Sequence, residues 1–135
     1  MCSEVDRGHK RASTLRLAEL QIFVSNLRRS RDFYHGLLGL PVLQESPSWL
    51  VLDLDGLELV LMSGAEPAPH QADYGRERGT VICLATADIN AEYLRLVEAR
   101  VRFLTPVEQV PQGRYAAFED PDGNLLELIQ PGAPS

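Results

Sequence analysis

The apolar pattern of this 135-residue chain runs through one succession twice, and a repeat of that kind leaves few folds open. In the first pass an apolar segment at 15–24 carries Leu20, Ile22 and Val24 at alternate positions, the mark of a half-buried strand. A helix is expected next, with Ser30 as its N-cap, Phe33, Leu37 and Leu38 at helical spacing, Gly39 ending it and Pro41 preventing its continuation. Three short strands are expected at 42–45, 49–54 and 57–62, with Asp55-Gly56 as a hairpin turn between the last two. After a stretch at 63–79 rich in proline, glycine and charge, the order recurs. It begins with a strand at 80–86, then a helix capped by Asp88 that runs to about 99 with Ile89, Tyr93, Leu96 and Val97 as its apolar stripe. Strands follow at 101–104, 114–119 and 124–130, and Asp120-Pro121-Asp122-Gly123-Asn124 forms the turn between the last two. Val24-Ser25-Asn26-Leu27 and Thr86-Ala87-Asp88-Ile89 lie 62 positions apart, whereas Leu57-Glu58-Leu59 and Leu126-Glu127-Leu128 lie 69 apart, so the second unit has the longer loop. The expected fold is α+β, two tandem βαβββ modules in a single domain at 15–130. Module one covers about 15–62, the linker 63–79 and module two about 80–130, between an N-terminal tail at 1–14 and a C-terminal tail at 131–135.

Composition narrows the function classes. A hydrophobic fraction of 44% with 24% charged residues is that of a soluble globular protein. No apolar run approaches the roughly 20 residues that span a bilayer, and the first fourteen residues lack the apolar core of a secretory signal, so no membrane partner is expected. Thirteen basic against nineteen acidic side chains give a net charge of −6, which disfavours a nucleic-acid partner. Arg28, Arg29 and Arg31 read as a solvated helix face or, less expectedly, an anion site. Cys2 and Cys83 supply neither a disulfide framework nor a metal-ligand spacing, and a reducing cytoplasm is the expected compartment. Phosphate-binding glycine loops are absent, as are HExxH and CxxC patterns.

The element order, together with particular residues at both ends, resembles the vicinal oxygen chelate superfamily, also called the glyoxalase/bleomycin-resistance/dioxygenase family. The matching residues are Val24-Ser25-Asn26-Leu27, Ser30, Phe33-Tyr34 and Leu37-Leu38-Gly39-Leu40 near the start, and the run from Phe118 through Asp120-Pro121-Asp122-Gly123-Asn124 to Gln130 near the end. The resemblance implies a curved mixed sheet around a cleft with helices outside, a small-molecule ligand in that cleft, and a homodimer. It also implies that ligands of a metal would come from the first and last strands of each module, at Glu19, Glu58, Val81 and Glu127. Alternation places these side chains independently. If Leu20/Ile22/Val24, Leu57/Leu59/Leu61, Ile82/Leu84 and Leu126/Leu128 are covered by helices, the opposite faces carry Glu19/Gln21/Phe23, Glu58/Val60/Met62, Val81/Cys83/Ala85 and Leu125/Glu127/Ile129. Three glutamates then point from apolar strands to one side, and isolated ionised carboxylates there need compensation.

Three compensations stay open. Glu19, Glu58 and Glu127 can hold a divalent metal, and an all-oxygen set suits Mg²⁺ or Mn²⁺ better than Zn, Ni or Fe. Arg114 can pair with one of them. One glutamate can remain protonated and available for proton transfer. Glu19 and Val81 stand where metal-binding relatives carry histidine, which argues against extradiol dioxygenase chemistry. Two functions are therefore weighed. One is a metal-dependent lyase or isomerase of glyoxalase type, with Glu127 as ligand and catalytic base. The other is a metal-free protein that sequesters a drug or metabolite, burying an aromatic or cationic ligand. The expected ligand contacts are Gln21, Phe23, Trp49, Phe103, Arg114 and Tyr115, although Phe23, Trp49 and Phe103 also suit core packing, and Arg114 and Tyr115 a surface cross-strand role. His9, His35 and His70 are expected at the surface, Cys83 as a small buried hydrophobe, and the turn at 120–124 as purely structural.

Overall fold

The computed structural model describes residues 15–65 and 80–132; the expectations placed on 1–14, 66–79 and 133–135, including Cys2, His9 and His70, lie outside the described residues, and the expected C-terminal tail at 131–135 gives up its first residue to the last strand. The first module comprises β1 (Glu19–Val24), α1 (Leu27–Arg31) continuing into a π-helical segment (Asp32–Leu37), β2 (Val42–Glu45), β3 (Trp49–Leu54) and β4 (Leu57–Ser63). The second comprises β5 (Val81–Ala85), α2 (Ile89–Glu98), β6 (Arg102–Phe103), β7 (Glu108–Val110), β8 (Gly113–Glu119) and β9 (Leu125–Pro131). The α+β architecture of tandem modules is thus present. Each module contributes its own curved, unclosed mixed sheet, in the orders β1-β4-β3-β2 and β5-β9-β8-β6, with β7 also on β8. In both, the module's first strand lies parallel to its last, and the remaining pairings are antiparallel.

Local chemistry explains the elements and two departures from expectation. Asn26, not Ser30, caps the first helix. Its backbone is extended (φ −141°) and its side chain accepts the Arg29 N–H at 3.0 Å, just as Asp88 (φ −145°) accepts from Ala91 before α2. The two caps are the 62-spaced pair of the repeat. Ser30 lies fully buried within the helix. Beyond it the helix widens: the Leu38 N–H donates to the Phe33 carbonyl and the Leu40 N–H to that of Tyr34. The wider turn lets the adjacent Phe33 and Tyr34 both be buried. Gly39 at φ 80° then ends it, and Asp55-Gly56, both at positive φ, form the expected hairpin turn. The second departure is β7, which the pattern hides because Thr105-Pro106 breaks one edge strand in two. Pro106 has no N–H to donate, and Leu104 and Thr105 both donate to the Ala117 carbonyl.

One core serves both modules. The aliphatic faces anticipated from alternation turn inward, with Val24, Leu59, Leu61, Leu50 and Leu52 of the first sheet joining Ile82, Leu126, Leu128, Ala116 and Phe118 of the second. Phe33 and Tyr34 from one helix, and Ile89 and Leu96 from the other, fill the space between, and the Phe33 and Phe118 rings meet at 6.3 Å. A polar tie fastens the two halves at this junction. The Tyr34 hydroxyl donates to Asp120 Oδ2 at 2.7 Å in a buried setting. The same carboxylate accepts the Asp122 and Asn124 N–H groups and the Asn124 side-chain amide. Next to it, Asp122 accepts from the Ser25 N–H and hydroxyl, and Arg29 lies 3.5 Å away. The turn at 120–124 is therefore the clamp of module two on module one as well as a hairpin connection.

Two predictions follow from packing alone. Burial, then the charge of Asp120 and the hydrogen bond to it, hold the Tyr34 phenol well above its ordinary value. The folded chain thus keeps that proton more tightly than the unfolded chain, so this contribution is intact below about pH 10 and fades as pH rises beyond it. Tyr34→Phe is expected to lose about 1–3 kcal/mol in urea unfolding at neutral pH and to lack this alkaline loss; stability curves of equal height for the two proteins would contradict a buried tie. Gly113 sits at φ 139° where a Cβ would lie 2.2 Å from the Gln130 carbonyl oxygen. Gly113→Ala should therefore cost at least about 1–3 kcal/mol, read as a drop in Tm.

Candidate functional site

The faces turned away from the shared core carry the polar and aromatic side chains. On the first sheet, register pairs Glu19 with Glu58, Gln21 with Val60 and Phe23 with Met62, and β3 sets Asp53, Val51 and Trp49 beside Glu58, Val60 and Met62. One end of this face is acidic across three strands, and the other is aromatic and soft, formed by Phe23, Met62 and Trp49. Gln21 Nε2 donates to Glu19 Oε2 at 2.6 Å, so amide and carboxylate hold one another. Ser46 Oγ accepts the Ser48 and Trp49 N–H groups, fixing the turn that launches Trp49. Phe23 is 56% exposed, an unusual state for an aromatic side chain on a sheet face.

On the second sheet, Glu127 lies between Cys83 and Ala117, and Tyr115 lies beside Ile129. The Cys83 thiol approaches Glu127 Oε1 at 3.7 Å. Tyr115, Glu127, Ile129, Val110 and Gly113 line a depression of about 260 Å³. Partial burial, followed by the charges of Glu108 and Glu127, raises the Tyr115 phenol above its ordinary value, so it remains a hydrogen-bond donor through neutral pH.

Of the expected ligand contacts, Gln21, Phe23 and Trp49 share the face of the first sheet, and Tyr115 that of the second. Phe103 does not join them: it pairs in register with Phe118 and, half-buried, packs against the core on Tyr93 at 4.5 Å and Phe118 at 5.2 Å. Arg114 borders the depression, but strand alternation turns it to the helix side. There its Nη2 donates to Gln130 Oε1 at 3.3 Å, the same oxygen that accepts the Ile89 N–H at the start of α2. It is thus an anchor for α2 rather than the partner of Glu127. His35 is half-buried instead of free at the surface, its Nδ1 2.8 Å from the Leu40 carbonyl. Asp53 and Glu108 border these faces and escaped the sequence reading, Glu108 because β7 was hidden and Asp53 because it reads as the lead-in to the turn at Asp55-Gly56.

The expected donors Glu19, Glu58 and Glu127 do not come together as a metal site among the described residues of one chain. Among the described residues no group of three or more His, Cys, Asp or Glu side chains is arranged to hold one. Glu19 and Glu58 stand side by side on one sheet, while Glu127 stands on the other, and both faces look away from the common core. The position facing Glu127 is Cys83, not Val81, which pairs with Leu125. The expected Glu19, Glu58 and Glu127 triad is therefore not assembled by the fold of a single chain.

Comparison with known proteins agrees with this architecture. The Glyoxalase/Bleomycin resistance protein/Dioxygenase superfamily description matches residues 16–128. The chain is 30% identical over 126 residues to the uncharacterized protein YurT of Bacillus subtilis, covering 86% of this chain and 99% of that one. Among solved structures, TnmS3, an antibiotic binding protein from Streptomyces sp. CB03234, is 30% identical with a TM-score of 0.70, covering 90% of this chain and all of that one. A glyoxalase/bleomycin resistance protein from the same Streptomyces is 32% identical with a TM-score of 0.61, covering 82% and 96%. Lactoylglutathione lyase from Agrobacterium tumefaciens, at 18% identity and a TM-score of 0.66 over 89% and 96%, shares the fold. The match across nearly all of the described residues, on two modules of this order, makes the chain a member of the glyoxalase/bleomycin resistance protein/dioxygenase superfamily.

Proposed function

We propose that the protein binds a planar, cationic or aromatic organic molecule without a metal, in the manner of the sequestering members of its superfamily. The observation that carries this reading is Phe23, left 56% exposed beside Trp49 and Met62 at one end of a face whose other end is acidic. Aromatic surfaces stack on planar ligands, and carboxylates at Glu19, Glu58 and Asp53 offer charge to a cationic substituent. Its likeness to an antibiotic binding protein at 30% identity lends support. Because the faces of the two sheets diverge within one chain, the cleft of this proposal is completed by a second copy. The first-sheet face of one protomer then lies against the second-sheet face of the other, where Tyr115 supplies a donor and Glu127 an acceptor. An exposed Phe23 and two sheet edges, β1 and β5, that pair on one side only are consistent with such a homodimer.

Two measurements test it. Trp49 is the only tryptophan, so its emission reports on the proposed stack. A panel of planar cationic antibiotics should quench it and raise Tm, by an amount equivalent to about 2.7 kcal/mol at one hundred times Kd, and Phe23→Ala should weaken the response at least tenfold. Silence to every aromatic compound, with stabilisation by Mn²⁺ that Glu127→Gln abolishes, would instead favour the metal-dependent lyase or isomerase reading. Separately, light scattering should give a dimer mass for the wild type and a monomer for Phe23→Glu, since the substitution buries a charge in the interface; a monomeric wild type would remove the composite cleft.

A further inference from the structure

On the side of the molecule away from both sheet faces, a cavity of about 570 Å³ opens between the modules, at the end of α2 and beside the tie at Asp120. Its apolar wall is Phe33, Leu37, Val101 and Pro121. The charges around it are mostly spoken for: Arg29 lies against Asp122, Arg102 against Glu119 at 3.8 Å, and Asp120 accepts from Tyr34, Asp122 and Asn124. Two lining groups of opposite sign, Arg100 and Asp32, are in no ion pair among the described residues.

The placement of Arg100 is costly. The Arg100 N–H donates to the Val97 carbonyl and the Val101 N–H to that of Leu96, closing α2 with the paired bonds that favour a left-handed residue between them. Arg100 takes that left-handed conformation at φ 69°, where glycine is the comfortable residue. Arg100 is solvent-exposed, lines the mouth of the cavity and carries no ion pair among the described residues, so its guanidinium is available to a ligand there while its backbone keeps a conformation that glycine would adopt more easily.

We infer that this inter-module cavity is a second binding site, for a zwitterionic amphiphile of the amino-acid or short-peptide class. Arg100 takes the carboxylate, Asp32 the ammonium group, and the Phe33, Leu37 and Val101 wall the apolar side chains. Both groups are exposed and solvated, so neither demands a partner, but a zwitterion can engage the two at once whereas a ligand carrying one sign engages only one. The site is independent of the sheet faces and of the function proposed for them.

The probe is the dipeptide phenylalanyl-leucine, with its N-acetyl derivative and its C-terminal amide as single-charge controls, titrated calorimetrically into the full-length protein. The free dipeptide should bind at least tenfold more tightly than either blocked form. Arg100→Gly should raise Tm by about 3 °C, because it relieves the left-handed strain, while lowering dipeptide affinity at least tenfold. Asp32→Asn should bring the free dipeptide down to the level of its N-acetyl form. Equal binding of all three peptides, no binding of any at millimolar concentration, or undiminished affinity in Arg100→Gly would each overturn the assignment. A rise in Tm with loss of binding separates this role from a merely structural one, in which the glycine variant would leave the titration unchanged.

Discussion

The Asp120 carboxylate is the point on which the arrangement of this molecule turns. A buried carboxylate is tolerated only when its lone pairs are met, and here Tyr34, the Asp122 and Asn124 amides and the Asn124 side chain meet them. Because one donor belongs to module one and the rest to module two, satisfying the charge requires the modules to stand in one relative position. The hydrophobic effect would accept many ways of pressing two aliphatic sheet faces on two helices, but a fully satisfied polar network accepts few. The neighbouring Asp122, bonded to Ser25 and close to Arg29, fixes the end of β1 in the same step. Packing supplies the attraction, and the tie selects the geometry.

That geometry decides where chemistry can occur. With both helices and both aliphatic faces committed to a shared interior, the remaining sheet faces point away from it, each with its own set of groups. The first face gathers the carboxylates of Glu19, Glu58 and Asp53 with the rings of Phe23 and Trp49, whereas the second sets Tyr115, Glu127 and Cys83 close together. Enclosure strengthens each polar contact to a small ligand, and Phe23, 56% exposed, leaves its end of the first face open among the described residues.

Much of the fold was legible because alternation is a local property. Strand faces, the caps at Asp88 and Gly39 and the hairpin at Asp55-Gly56 depend on neighbours within a few residues, and the chain displays them openly. What could not be read depends on long-range partners. Ser30 resembles an N-cap until Asn26 is seen with an extended backbone and an accepted N–H. Arg114 and Tyr115 are adjacent in the chain yet face opposite sides, and a choice between them needs the pairing of β8 with β9. Asp120 and Asp122 suit a turn so well that nothing nearby betrays their second task. Phe103 sits on a strand of two residues, too short for alternation to speak.

The candidate ligand set shows the same boundary from another side. Strand side chains repeat every two residues, so a shift of two along a strand keeps a side chain on its face while carrying it about 7 Å away. Alternation can therefore place Glu127 on the proper face and still miss its partner. In the first module Glu19 faces Glu58; in the second Val81 faces Leu125, and it is Cys83 that faces Glu127. The equivalence of the helix caps and the equivalence of the two glutamates, 62 and 69 positions apart, cannot both hold for one sheet register. A two-residue offset thus sets a thiol beside a carboxylate on the second sheet, where the first sheet sets two carboxylates side by side.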